Sequence, residues 1–408
     1  MRGSFSLAHL PDPVTLPKIV LKPGREKSLR HLHPWVFSGA IERVDGHPDS
    51  GDTVEIVARD GAFLARGAYS PQSQISARAW TFDPAQQIDE AFLGQRLKEA
   101  IERRSRLFDA NHDSGRLVHS ESDGLPGLIV DRYGDALVIQ ILSAGAERWR
   151  KLWPAALQEL TQAKVIHERS DAEVRELEGL PVRNGTLVGT LKGLVPIIEG
   201  GLRYEVDVVT GQKTGFFLDQ RDNRALAATY ARDAQVLNAF SYTGGFTVAA
   251  LKGGAKHVLS IDTSTDALAL GQRHVAANAL DATRAEWSSA DVFAHFRKLR
   301  DQGKYFDLVI LDPPKFAPTE KHVPRAARAY KDINLWAMKM LAPGGRLMTF
   351  SCSGAVHPEL FQKIVAGAAA DARVDLIIEQ RLSGSADHPV SIHFPEGEYL
   401  KGLLLRRK

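Results

Sequence analysis

Four short apolar runs between residues 234 and 350, AQVLNAF, HVLSID, FDLVILD and GGRLMTF, alternate with stretches of helical periodicity. No other feature restricts the fold of this chain as strongly. Apolar strands separated by helices form a parallel sheet covered on both faces, and such sheets bind ligands at the carboxyl ends of their strands. Two more strand-like segments follow, 374–380 and 399–406, with HPVSIHFPEGE between them. A late hairpin of this kind predicts an antiparallel edge on the sheet.

The whole chain has 408 residues, too many for one ordinary core. Three units are expected. Residues 1–17, with Pro11, Pro13 and Pro17, read as a loose leader. A β-rich unit, 18–88, contains the runs KIVLK, HPWVFSGAI, DTVEIVA, FLARGAYS and ISARAW. An α+β unit, 89–192, opens with a helix over 90–108, on which Leu93, Leu97, Ile101 and Leu107 recur at helical spacing. It continues with a hairpin about Gly134 and Asp135, a helix over 147–161 and the strand KVIHERS. The third unit, 193–408, begins with a hairpin about Gly200 and Gly201 and carries the parallel sheet.

Composition narrows the partners. A net charge of +3 gives no global basic field, so any nucleic-acid surface must be local. Lys18, Lys22, Arg25, Lys27 and Arg30 form one basic stretch, and Arg103, Arg104 and Arg106 crowd the 90–108 helix. A solvated face explains each single charge equally well. One cysteine precludes an intrachain disulfide and a cysteine-based zinc finger, and suits a reducing compartment. No apolar run reaches transmembrane length, and MRGSFSLAHLPDPV lacks a long apolar core. The expectation is a cytoplasmic enzyme with no membrane partner.

The first strand of the third unit runs into NAFSYTGGF, residues 238–246, and a helix starts directly after it. A glycine-bearing loop there lets a ligand approach the backbone and the free N–H groups of the helix. The next strand ends at Asp262, eighteen residues past Gly244, where a carboxylate can accept both hydroxyls of a ribose. Asp291, after the third strand, stands where an adenine amino group is read. Each feature alone suits a capping loop or a turn; together and in order they favour a nucleotide-like cofactor. Thr243-Gly244-Gly245 matches the Gly-x-Gly-x-x-Gly of nicotinamide enzymes poorly. S-adenosylmethionine needs no phosphate cradle, and class I methyltransferases carry the antiparallel edge that the chain's end predicts.

FDLVILDPPKF, residues 306–316, sets Asp312 at the carboxyl edge of the sheet, followed by Pro313 and Pro314, which fix φ and supply no N–H. A rigid turn of this kind can aim carbonyls and a carboxylate at a planar base; otherwise it is a stiff strand end. The lone cysteine, Cys352, follows the fifth strand between Ser351 and Ser353. Lone cysteines are usually core fillers. This one lies past the apolar run at the same edge as Asp312, which favours a nucleophile. A free thiol with a pKa of about 8.5 is only slightly ionised at neutral pH. The sequence does not identify the cation or helix N-terminus that would help. C5 of a pyrimidine is a poor nucleophile until a thiolate adds at C6, whereas an exocyclic amine needs no such help. The cysteine therefore separates carbon from nitrogen methylation, with Asp312 on the N3/N4 edge of a cytosine.

GQKTGFFLDQRDNR (211–224), NAFSYTGGF, LDPPKF and FSCS together resemble the bacterial large-subunit ribosomal RNA cytosine-C5 methyltransferases of the RlmI type. KPGREKSLRHLHPWVFSGAI, residues 22–41, resembles that family's N-terminal PUA RNA-binding domain. The resemblance runs from about residue 18 to the C-terminus. It implies a PUA domain, a central α+β domain and a Rossmann-like methyltransferase domain, with S-adenosylmethionine as cofactor. It implies Cys352 as nucleophile and Asp312 as the base-positioning carboxylate. Phe216, Asp219 and Gln220 would close over the methionine end, Asp262 would hold the ribose and Asp291 the adenine. Asn238, Phe240, Ser241, Tyr242, Thr243, Gly244, Ser264 and Val292 complete the cofactor candidates. Many methyltransferases carry an acidic residue where Asn238 stands. The RNA candidates are Pro313, Pro314 and Lys315 at the site, Lys22, Arg25, Lys27 and Arg30 on the PUA unit, and Arg103, Arg104 and Arg106 on the 90–108 helix. The implied partner is 23S ribosomal RNA, naked or partly assembled, because a base must be unpaired or flipped to react; a homodimer is left open. The competing readings are an RNA N-methyltransferase with a passive Cys352, a non-catalytic RNA-binding or assembly protein, and a nicotinamide oxidoreductase.

Overall fold

The computed structural model describes residues 16–408; most of the expected leader, with Pro11 and Pro13, lies outside them. The N-terminal unit is a six-stranded sheet in the order Trp35–Phe37, Ile75–Thr81, Phe63–Tyr69, Thr53–Val57, Lys18–Leu21, Ile41–Asp45. HPWVFSGAI does not form one strand. A 3-10 turn at Ser38–Ala40 sends its two halves to opposite edges of the sheet. Ile19, Val36, Val54, Ile56 and Ala65 fill the core beneath.

The central unit is a five-stranded sheet, Arg183–Val188, Val165–Ser170, Ala136–Ile141, Leu128–Tyr133, Ser114–His119. The helix Glu90–Arg103 is N-capped by Asp89, whose carboxylate accepts from Phe92 N at 2.8 Å, and buries Leu93, Leu97 and Ala100. It stops short of 108 and gives way to a 3-10 turn, Ser105–Leu107. The expected 147–161 helix is two helices, Ala144–Arg148 and Leu152–Thr161. Pro154 lacks an N–H and fits only the first turn of the second helix, so an unbroken helix would have held it in the interior.

A two-stranded hairpin, Val195–Glu199 with Leu202–Val206, leads into the seven-stranded sheet. Its strands are β1 (Gln235–Ala239), β2 (His257–Asp262), β3 (Ala285–Ser289), β4 (Phe306–Leu311), β5 (Leu341–Ser351), β6 (Leu376–Ser383) and β7 (Lys401–Arg407). The order is β3-β2-β1-β4-β5-β7-β6. The first five run parallel, and β7 inserts antiparallel between β5 and β6. Side-chain alternation builds two cores. Val236, Leu308, Met348 and Leu404 face the layer of α1 (Gly245–Lys252) and α2 (Thr265–Ala277). Their neighbours Leu237, Val309, Leu347 and Leu405 face α3 (Val292–Asp301), α4 (Val323–Lys339) and α5 (Pro358–Ala372).

The connection from β6 to β7 straps the three units together. Asp387 accepts from Arg116 N at 2.8 Å and Arg221 at 3.1 Å, and its carbonyl accepts from Arg104 Nε at 3.1 Å. Further along, Phe394 packs edge-on against Trp35 with ring centroids 4.9 Å apart, and Glu396 meets His33 at 3.1 Å. Among the described residues no helix is long and apolar enough to cross a membrane.

Candidate active site

The carboxyl ends of β1, β2, β4 and β5 open onto a cleft of about 480 Å³. Phe216, Asp219, Gln220, Phe240, Ser241, Tyr242, Thr243, Asp262, Asp291, Val292, Asp312, Pro313, Pro314, Lys315 and Cys352 all line it. A roomier hollow of about 780 Å³, between the Val195–Val206 hairpin and the central sheet, contains none of the candidate residues.

The loop after β1 is tightly wound. Phe240 and Tyr242 take φ of +59° and +46°, and Gly244 takes +72°. Non-glycine residues rarely adopt such angles unless their surroundings enforce them. Here Ser241 N donates to Ile261 O at 3.0 Å, Tyr242 N to Asp262 at 2.8 Å, and Gly244 N to Ser241 O at 2.9 Å. His274 braces the loop from below through Thr243 O at 3.0 Å. Gly244 does not line the cleft; a Cβ there would sit 2.6 Å from Trp287, so the glycine serves close packing beneath the loop. Asn238 is also beneath it: its amide donates to Thr247 Oγ1 at 2.9 Å and the residue is 1% exposed. Ser264 N-caps α2 and likewise stands off the cleft.

Two buried polar atoms of the cleft lining, Asp219 Oδ1 and Ser241 Oγ, lack partners, and the Gln220 side chain serves Asp312. Each Asp262 oxygen accepts one backbone N–H, from Tyr242 and from Ser264, and keeps acceptor capacity for a ribose diol. Asp291 caps α3 through Ala294 N at 2.9 Å, beside the apolar wall of Val292 and Phe293. An unpaired carboxylate oxygen suits an ammonium group, a diol acceptor suits a ribose, and an apolar slot suits adenine. The donor set thus fits S-adenosylmethionine.

The rim that carries Asp312 and Cys352 is built from the ends of β4 and β5. Cys352 is half-buried, with Sγ 3.9 Å from Pro313 O. Its flanks are fixed. Ser351 Oγ and Ser353 Oγ bond the Tyr330 hydroxyl at 2.9 and 3.1 Å, and Ser353 Oγ accepts from Ala317 N at 3.1 Å. The buried Lys401 ammonium donates to Ser353 O and Val356 O at 2.8 and 2.9 Å; burial pulls its pKa down to about 8. Burial pushes the Cys352 thiol up, against the opposing pull of Lys213. Burial, reinforced by the charge of Asp219, lifts Asp312 to about 7. Asp219 behaves oppositely. Burial alone would raise it, but Lys213, His388 and the Tyr399 hydroxyl hold it well below the usual carboxylate range. Its Oδ2 accepts from Tyr399 at 2.6 Å and Lys213 at 2.9 Å.

Lys213, Tyr399 and Lys401 were not singled out from sequence. Lys213 lies inside GQKTGFFLDQRDNR, and Lys401 is a lone cation opening the apolar run of β7, a visible signal. One basic candidate is corrected. Arg104 is 2% exposed and bonds Asp123, Ala100 O and Asp387 O, so it cannot meet RNA. Arg25 and Lys27 are exposed about a separate hollow with His31 and Phe37; Arg30 is exposed beside it, and Lys22 Nζ donates to Gly39 O at 3.0 Å.

A parallel sheet with an antiparallel strand inserted before its last edge, a glycine loop after β1 and an acidic end to β2 define a class I S-adenosylmethionine-dependent methyltransferase. Residues 184–404 match the S-adenosylmethionine-dependent methyltransferase family, and residues 19–82 a PUA-like domain. Ribosomal RNA large subunit methyltransferase I of Klebsiella pneumoniae is 50% identical over 392 residues, 96% of this chain and 98% of that protein. The protein of the same name from Escherichia coli O157:H7 is 49% identical over 391 residues, 95% and 99% of the two chains. A solved methyltransferase structure complexed with SAH superposes with a TM-score of 0.83 at 22% identity, over 95% of this chain and 99% of the other. The chain belongs to the ribosomal RNA large subunit methyltransferase I family, and its cofactor is S-adenosylmethionine.

Proposed function

We propose that the protein methylates C5 of a cytosine in large-subunit ribosomal RNA through a transient bond between Cys352 and C6. The observation that carries this reading is the pairing, on one cleft rim, of a half-buried thiol with a carboxyl whose pKa is lifted to about 7. The ribosomal RNA substrate is carried over from relatives about half identical over almost the whole chain.

A protonated Asp312 offers an O–H to N3 of the base and a carbonyl oxygen to its N4 amine. An ionised one would face the N3 lone pair. Addition of the Cys352 thiolate at C6 forms the S–C6 bond, moves the 5,6 electron pair toward C5, and draws the Asp312 proton to N3. The bound cofactor supplies an electrophilic methyl group to C5. Transfer of the C5 proton to water restores the double bond, breaks S–C6, returns Cys352 as thiolate and returns the N3 proton to Asp312. The rigid Pro313-Pro314 turn aligns Asp312 with the plane of the base.

RNA would be positioned by Arg25, Lys27, Lys22 and Arg30 on the PUA-like sheet and by Lys315 at the cleft, with phosphates setting register. One observation favours nitrogen methylation with a passive cysteine: burial pushes the Cys352 thiol upward. RNA containing 5-fluorocytosine separates the two readings. The fluorine cannot leave as a proton does, so the adduct persists, and a denaturation-resistant protein–RNA complex is expected with the native chain and absent with Cys352→Ala. No trapped complex with either would count against the adduct.

A further inference from the structure

We propose that Lys213 is a positioning residue whose ammonium is the counter-charge of the Cys352 thiolate. The proposal rests on the nucleophilic role of Cys352. Both residues line the same cleft, although 139 positions separate them in sequence. Lys213 holds φ at +52°, a left-handed conformation that L residues adopt only when their surroundings impose it. The surroundings do so. Gln212 N donates to the Tyr242 hydroxyl at 2.9 Å, and that hydroxyl donates to Gly215 O at 3.2 Å. A Cβ on Gly215 would come within 2.5 Å of Val206, so the segment is seated directly on the hairpin. The strained backbone delivers the ammonium to a prepared socket: Asp219 Oδ2 at 2.9 Å, the Phe217 ring at 4.5 Å and the Tyr399 ring at 5.5 Å. Aromatic faces stabilise a cation while leaving it able to serve another anion.

The other charges near the thiol do not fill this role. Asp312 and Asp219 oppose thiolate formation, and the buried Tyr330 hydroxyl is neutral and bonded to the flanking serines. Lys401 also feels a charge at Cys352, but its ammonium is committed to the carbonyls of Ser353 and Val356, where it shapes the cysteine loop, and burial lowers its pKa to about 8. Lys315 pulls in the right direction but less strongly than Lys213. The coupling is mutual, since a thiolate at Cys352 raises Lys213 in turn.

Cys352 is the chain's only cysteine, so alkylation of the full-length protein reports this thiol alone and requires no turnover. The rate of iodoacetamide modification, followed by intact mass between about pH 6 and pH 10, is compared for the native chain, Lys213→Met and Lys213→Arg. Lys213→Met should move the midpoint up by about one unit and slow modification about tenfold near neutral pH, whereas Lys213→Arg stays within about twofold. Methyl transfer by Lys213→Met should be about tenfold lower on the level part of its pH profile, with the alkaline fall moved up by about one unit, and Cys352→Ala should show no methyl transfer at any pH. An unmoved midpoint in a Lys213→Met protein that melts like the native chain overturns the proposal. So does an unmoved midpoint with lost S-adenosylmethionine binding by calorimetry, which would give Lys213 to the cofactor's carboxylate. If Lys213→Met does not fold, Lys213→Gln is judged by the same curve. Retained C5 methylation by Cys352→Ala would instead remove the nucleophilic reading itself.

Discussion

Replacing Asp312 by asparagine should make the folded protein more stable as pH rises. In the folded chain Asp312 holds its proton up to about 7, against an ordinary value of 3.8, because it is buried beside the ionised Asp219. The folded state therefore binds this proton more tightly than the unfolded state does. The native chain has the full benefit below about pH 4, loses it progressively as pH rises, and has none left above about pH 7. About three units at 1.36 kcal/mol each set a ceiling of about 4 kcal/mol. The carboxyl is partly open to the cleft, so solvent screening brings the expected figure to about 1–3 kcal/mol. Asparagine cannot ionise and escapes the loss. Urea unfolding of both proteins at matched pH, without cofactor, should show the stability difference, variant minus native, growing by that amount between about pH 4.5 and pH 8. A difference that stays flat would refute the claim that Asp312 is kept protonated by its surroundings.

Three other outcomes follow from the same geometry. On the proposed mechanism active enzyme combines a thiolate with a protonated Asp312, so kcat/KM should climb to about pH 7, stay level, and fall above the thiol's own raised pKa; a pH–rate profile with no bend near 7 would remove Asp312 as proton donor. Arg104→Ala leaves the buried Asp123 carboxylate with Arg103 as its remaining cation and should cost about 1–3 kcal/mol in thermal or urea unfolding, while the salt slope of RNA binding stays unchanged. Arg25→Ala and Lys27→Ala should each lower that slope by about one without altering cofactor affinity by calorimetry; equal slopes would move the RNA surface elsewhere.

Much of the architecture was written locally. The apolar runs of β1, β2, β4 and β5 announce a parallel sheet, and that sheet necessarily sets Asp262, Asp312 and Cys352 on one edge. The late hairpin was legible too, although β6 reaches Ser383 and the strap begins later than expected. What could not be read were side chains whose meaning depends on distant partners. Asp219 meets Tyr399 across 180 positions, and Arg104 meets Asp387 across 283. Arg104 did leave a trace. It continues the 93, 97, 100 spacing of the buried helix face, and a guanidinium on that face requires a buried carboxylate, which Asp123 provides. Asn238, Gly244 and Ser264 are cofactor candidates by sequence, yet each is taken up by local structure: Asn238 on β1 donates to Thr247, Gly244 makes room for Trp287, and Ser264 caps α2.

The nucleophilic cysteine and its carbon target are tested together by methyl transfer from labelled S-adenosylmethionine to protein-free large-subunit ribosomal RNA, followed by nucleoside analysis. The account predicts label in 5-methylcytosine with the native chain and none with Cys352→Ala. Label in a methylated purine or an exocyclic amine, or 5-methylcytosine formed by Cys352→Ala, would contradict it.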